Sequence, residues 1–185
     1  MGKREYSSDR KADFENTLLE MMTQIPYSEI TVASLIRKTG VARRTFYLYY
    51  STKDDCLDAL VDRFYRNQAL YTLRYSPVPM SFEVANCTYW KENKAFLKAV
   101  GRDNLLPVLL RRHAMYLKTE ETVALKRLCD PIGASDDDII QFFVSGLLAL
   151  CIAWAERDCD TPVEIMADKL KRLIRSPLVP DDRIH

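Results

Sequence analysis

The sequence predicts an all-α fold, and three observations carry that reading. Only five glycines and eight prolines occur among 185 residues. No stretch sustains the period-two alternation and hairpin turns of a sheet protein. Apolar residues instead return every three or four positions through successive segments, which is the spacing of one buried helix face. Charged residues make up 29% of the chain and hydrophobic residues 48%, a globular balance rather than a disordered one. The length suffices for a buried core but is short for two large independent domains.

A first helix is expected over residues 9–24, with Phe14, Leu18, Met22 and Ile25 along one face and Pro26 ending it. Thr31 is placed to cap a short second helix whose Val32, Leu35 and Ile36 face inward. Gly40 supplies the left-handed residue after its end, and Val41 plugs the turn. A third helix is expected over 42–50, with Phe46 and Tyr50 as its inward pair. Ser51 and Asp54 have the spacing of a capping box for a long fourth helix, which runs to about residue 75. Its core face carries Leu57, Leu60, Val61 and Phe64.

The segment SPVPMS, residues 76–81, is the clearest break in the chain. It divides residues 1–53, with 54–75 as a connecting helix, from a second helical unit over 76–185. Helices are expected at about 82–90, 92–101, 103–118 and 120–129, with Pro107 in the first turn of the third or kinking it. Ser135 and Asp136–Asp138 open a strongly apolar helix that lasts to about Arg157. Thr161 and Pro162 make an N-cap and a first-turn proline for a last helix to about Arg175.

The net charge of +1 points to no partner by itself, but its distribution does. Residues 1–53 hold nine Lys/Arg against six Asp/Glu, a net of +3; the remainder holds eighteen against twenty, a net of −2. Between Arg37 and Lys53 lie five basic residues and no acidic one, on two short helices joined by a glycine turn. This is the pattern of a helix-turn-helix, whose second helix enters the major groove while neighbouring groups hold phosphates. Arg43 and Arg44 open that helix, and arginine can bind guanine bidentately. Tyr47 and Tyr49 offer hydroxyls to phosphate, and Thr31 and Lys53 stand at helix starts that favour an anion. The rival reading of the two arginines is a solvated face; for Phe46 and Tyr50 it is simply the core.

Residues 30–57, ITVASLIRKTGVARRTFYLYYSTKDDCL, resemble the N-terminal domain of TetR/AcrR-type bacterial transcriptional regulators. The shared pattern is a Thr opening the second helix, a G-V-S turn, T-F-Y-x-H/Y-F, and a Lys opening the fourth helix. The resemblance implies a homodimer on a palindromic operator of double-stranded DNA, most often a repressor released by a small molecule. It assigns DNA contacts to Thr31, Arg43, Arg44, Thr45, Tyr47, Tyr49 and Lys53. Two residues depart from it. Ala42 stands where the family has Ser, removing a cap worth about 1 kcal/mol and a phosphate contact. Tyr50 replaces Phe and brings a hydroxyl that needs a partner or solvent. The competing function is a helical interaction module that has lost specific DNA recognition; Ala42 is its support.

The stretch Ile139–Ala155 is apolar nearly all round, more than one stripe facing a core requires. Either it is the central helix of the subunit or its surplus face buries against another chain, and Gly146, Ala149 and Ala153 would admit a close helix. FVSGLLALCIAW (143–154) and the capped helix after it are similar to the last two helices of compact TetR-type regulators. YWKENKAFLKAV (89–100) is similar to a short-chain subgroup with an E-N-x-x-F-L-K motif. This likeness implies a dimer interface built from Phe143, Leu147, Leu150, Trp154, Met166, Leu170 and Leu173. Trp90, Phe96, His113, Tyr116 and Trp154 are the candidates for lining an effector pocket, although core packing is the commoner fate of such residues. His113, beside Arg111 and Arg112, reads as a surface or second-layer residue.

Five cysteines at irregular spacing, Cys56, Cys87, Cys129, Cys151 and Cys159, fit reduced thiols better than a disulfide framework. With only two histidines they argue against a metal site, and no cofactor pattern is present. The polar start MGKREYSSDRK and an apolar run shorter than the roughly 20 residues of a membrane span lead to the expectation of a cytoplasmic protein. No phosphate-cradling loop or nucleophile–base pair speaks for an enzyme.

Overall fold

The computed structural model describes residues 3–75, 82–116 and 137–175, and among them every regular element is helical. In order these are α1 (Lys3–Gln24), a 3-10 turn (Tyr27–Glu29), α2 (Val32–Thr39), α3 (Arg43–Tyr47), α4 (Lys53–Tyr75), α5 (Phe82–Glu92), α6 (Lys94–Arg102), α7 (Leu106–Tyr116), α8 (Asp137–Glu156) and α9 (Val163–Arg175). The break expected at 76–81, the helix expected at 120–129, Cys129 and the start expected at Ser135 lie outside the described residues.

The first four helices close around the core anticipated from their spacing. Phe14, Leu18 and Met22 of α1 meet Leu35, Phe46 and Leu57, all essentially buried. Phe14 and Phe46 pack edge to face with centroids 5.2 Å apart. Tyr50 joins the cluster, and its hydroxyl takes a protein partner rather than solvent: it donates to Glu15 Oε1 at 2.8 Å. Glu15 is buried, and its other oxygen pairs with Arg63 Nε of α4 at 2.9 Å. The carboxylate is therefore satisfied from two elements, which is what a buried charge requires.

Several local starts differ from expectation by a residue or two. The α4 capping box is Thr52 with Asp55, not Ser51 with Asp54: the Asp55 carboxylate accepts the Ser51 and Thr52 N–H groups, and Thr52 Oγ1 accepts the Asp55 N–H. Asp54 is thereby released to accept the Tyr27 hydroxyl at 2.5 Å. The third helix is shorter than 42–50; it ends at Tyr47, and Leu48–Tyr49 form a turn. Pro107 sits in the first turn of α7, where its missing N–H costs nothing. Thr161 does not cap α9, since its hydroxyl turns to Asp160 and the Met166 N–H bonds to the Pro162 carbonyl.

Residues from α4 and α6 meet at the connector between α1 and α2. Lys53 Nζ donates to the Tyr27 and Ile30 carbonyls, each at 2.7 Å, and lies 4.0 Å from the Tyr27 ring centroid. From the α6–α7 corner, Arg102 Nη2 donates to the Met22 and Ile25 carbonyls at 2.7 and 2.8 Å. Its neighbour Asp103 accepts the Tyr27 N–H at 3.0 Å and pairs with Arg102 itself at 2.8 Å. Asn104 takes the left-handed conformation (φ +54°) that turns the chain out of this corner.

The remaining helices pack α5 and α7 on α4, α9 on α5, and α8 on α6. The α6–α8 approach depends on Gly101, where a Cβ would lie 2.7 Å from Ile152 Cγ2. Arg111 and Arg112 of α7 pair with Asp58 and Asp62 of α4, with Arg111 Nη2 2.7 Å from Asp58 and Arg112 Nε 2.7 Å from Asp62. Cys56, Cys87, Cys151 and Cys159 are buried free thiols, and burial pushes both Cys56 and Cys87 up to about 12. They stay protonated and behave as small apolar residues.

The apolar helix α8 is packed within the subunit, and part of its apolar surface faces outward. Trp154, Met166 and Leu170, expected at a dimer interface, are buried within the subunit at 0, 2 and 4% exposure, which corrects that assignment. Leu147 and Leu150 are half-buried, Leu173 is half-exposed, and the Phe143 side chain lies outside the description. The outward line of α8 runs instead through Phe142, Gly146 and Ala149, with Ile165 and Leu173 outward on α9. On α8 the sequence could not choose which side faces the core, because a helix apolar all round has no stripe to fix its phase. Arg102→Ala is expected to cost about 1 kcal/mol, the scale of a partly exposed hydrogen-bonded pair. A urea-unfolding midpoint lowered at unchanged slope would register it; an unmoved midpoint would mean that the corner does not hold the connector.

Candidate DNA-binding surface

The reading surface is built from the local chemistry of α2 and α3. Thr31 Oγ1 accepts the Ser34 N–H and Ser34 Oγ accepts the Thr31 N–H, each at 3.0 Å, a reciprocal capping box that starts α2. Gly40 ends it at φ +66°, a conformation that L side chains rarely take, and this reversal aims α3 away from α2. Ala42 begins α3 with no side-chain cap, as its methyl group dictates.

Phe46 anchors α3 inward, and the opposite face carries Arg43, Arg44, Tyr47 and Leu48, all exposed. Arg43 Nη2 donates to the Tyr47 hydroxyl at 3.3 Å with the guanidinium 5.6 Å from that ring centroid. The cation is held on the tyrosine face rather than left to swing. Thr45 and Tyr49 are half-buried and line a shallow hollow of about 330 Å³ with Arg10, Gly40, Val41 and Ala42. Six of the seven expected contact residues therefore sit on α3 and its turn or at the start of α2. Lys53 differs: two of its three ammonium hydrogens go to the connector, and burial lowers its pKa. One N–H remains for a phosphate, so its main task is positional.

Residues 17–60 match the family model for bacterial regulatory proteins of the tetR family, and residues 79–176 match that for a transcriptional regulator C-terminal region of TetR type. The chain belongs to the TetR family. It is a DNA-binding transcriptional regulator, and the helix-turn-helix described above lies within the matched residues 17–60. A solved structure, "Dihydroxyacetone kinase operon activator DhaS", shares the fold at a TM-score of 0.56 and 16% identity, over 89% of this chain and 93% of that one. No curated protein matches. No described helix is long and apolar enough to cross a membrane.

Two residues beside this face were not singled out from the sequence. Leu48 lies one turn after Arg44 and is exposed with it, and Arg10 is brought to the hollow beside Thr45 and Tyr49 by the packing of α1.

The candidate effector residues fall into separate settings. His113 and Tyr116 flank Tyr65, with ring centroids 5.1 and 6.2 Å away, and Phe96 packs on Phe64 at 4.9 Å. Trp154 donates from Nε1 to the Thr161 carbonyl at 3.2 Å, a bond that closes the α8–α9 turn. Trp90 Nε1 and His113 Nδ1 are buried without a hydrogen-bond partner among the described residues. His113 is half-buried, in keeping with a second-layer position, and burial lowers its pKa to about 4. The unfolded chain takes up this proton near pH 6.5, the folded chain only near pH 4. Stability linked to His113 is thus present above about pH 6.5 and lost as pH falls toward 4. His113→Phe is expected to flatten the dependence of the melting temperature on pH in that window. Parallel wild-type and variant curves would show that His113 titrates normally.

Proposed function

We propose that the protein is a homodimeric repressor that binds a palindromic operator and is released by a small-molecule effector. The observation that carries the DNA part is the outward face of α3: Arg43, Arg44 and Tyr47 are exposed together on a helix aimed by Gly40, with no acidic residue from Arg37 to Lys53. Thr31 and the hollow lined by Thr45, Tyr49 and Arg10 flank that face with hydroxyls and a cation suited to phosphate.

The dimer reading rests on the apolar surface left on the last two helices. Gly146 has open space around its Cβ position, Ala149 is exposed beside it on the outward line, and Ile165 and Leu173 are each 50% exposed. Small residues admit a close helix, and the flanking large ones supply area to bury. A two-fold dimer would present two α3 helices to half-sites about one DNA turn apart, hence a palindrome. The effector part rests on the family resemblance. Repression is the sign implied by the family resemblance, whereas the solved structure sharing the fold is named an activator. A reporter driven from the protein's own operator separates the two signs directly.

Selection of randomised duplexes by the purified protein at near-physiological salt is expected to enrich an inverted repeat. An absence of enrichment, with and without cell extract as an effector source, would return the chain to the interaction-module reading. Arg44→Ala should cost about 1–3 kcal/mol on the enriched site and far less on unrelated DNA. Equal losses on both would assign Arg44 to phosphate. Ala149→Arg is expected to give a monomer by sedimentation equilibrium at unchanged helicity; a dimer that survives it would place the interface elsewhere.

A further inference from the structure

Leu48 is 70% exposed, more than any other large apolar side chain noted as exposed among the described residues. Its place is specific. It keeps helical dihedrals (φ −72°, ψ −23°) at the end of α3, and its N–H bonds to the Thr45 carbonyl at 3.3 Å. Leu48 therefore continues the outward face one turn beyond Arg44, about 6 Å further along the helix axis. That face is cationic at its start and apolar at its end. Arg43 is held on Tyr47, so Arg44 and Leu48 are the pair that project from it.

A protein partner would be expected to answer an exposed leucine with an apolar pocket, but the surrounding positions argue for another occupant. All five charged residues from Arg37 to Lys53 are basic, so the leucine is presented to a polyanion. Within the major groove one feature suits an aliphatic side chain, the C5-methyl group of thymine. From the reading of α3 as the recognition helix, on which this step rests, we infer that Leu48 selects a thymine by contact with its methyl group. Base pairs rise about 3.4 Å each, so this thymine lies within about two base pairs of the base contacted by Arg44. Leu48 is thus a specificity-determining residue, and Arg44 and Leu48 together read a short G/T-containing step.

The test uses the full-length protein and the duplex it enriches. Each thymine in turn is replaced by deoxyuridine, which keeps every hydrogen-bonding edge and removes only the methyl group. Kd is measured for wild type and for Leu48→Ala. Because Leu48 is exposed, the variant is expected to fold, and its melting curve verifies that. At one thymine per recognition helix, deoxyuridine should weaken wild-type binding about fourfold, the worth of one buried methyl group. The same replacement should leave Leu48→Ala unaffected. If no position discriminates thymine from uracil while the duplex is still bound specifically, the inference fails and the DNA-binding reading stands. Equal sensitivity in both proteins would assign the methyl to another residue and also overturn it. Failure to enrich any duplex would remove the DNA-binding reading and this inference together.

Discussion

The connector between α1 and α2 is the constraint on which the reading head depends. It is irregular backbone in a packed setting, so its carbonyl and N–H groups need partners. Lys53 takes the Tyr27 and Ile30 carbonyls, Asp103 takes the Tyr27 N–H, and Arg102 takes the last carbonyls of α1. Two of these side chains come from the α6–α7 corner and one from the start of α4. The pitch of α2 relative to α1 is set by groups outside the helix-turn-helix itself, and the head is tied to the body by backbone hydrogen bonds rather than by apolar contact alone. Asp103 is held below the usual carboxylate range by its hydrogen bond with Arg102, which keeps it an acceptor in moderately acidic solution.

A second buried polar device acts inside the head. Tyr50, Glu15 and Arg63 join α3's turn, α1 and α4 through one carboxylate, and the Tyr50 hydroxyl is held protonated by burial and by its bond to Glu15. A phenylalanine at this position would leave Glu15 with one partner fewer. The departure from the family pattern at residue 50 is thus compensated by a specific acceptor 35 positions earlier. The departure at residue 42 has no such compensation, and α3 starts without a side-chain cap. Its short length is consistent with that loss, and its position depends on Phe46 packed against Phe14 and Tyr50.

Much of the fold was legible because its signals are local. The Thr31 cap, the Gly40 turn and the i, i+3, i+4 spacing of Phe14, Leu18 and Met22 each involve neighbours within one or two helical turns. The outward arginines of α3 were legible for the same reason, once Phe46 fixed which side faces in. The α4 capping box was misplaced by one residue because Ser51 and Thr52 compete equally well on paper. Only the chain's path at the helix start decides between them.

What the sequence determined by itself was the order of the helices, the turn that aims α3 and the basic character of the surface it presents. What only the tertiary structure decided was the employment of side chains whose partners lie far along the chain. Lys53 reads only as a phosphate ligand until the Tyr27 carbonyl, 26 residues away, takes one of its N–H groups. Arg102 stands out in no local pattern, and its partner at the end of α1, 80 residues away, is supplied by the fold. The rotation of α8 about its axis is of the same kind. With apolar residues on every side, its sequence contains no preferred face, and its packing on α6, where Ile152 meets Gly101, chose the side that was buried. Helix identity is a short-range property of the chain, whereas partner choice is settled by which surfaces the fold brings together.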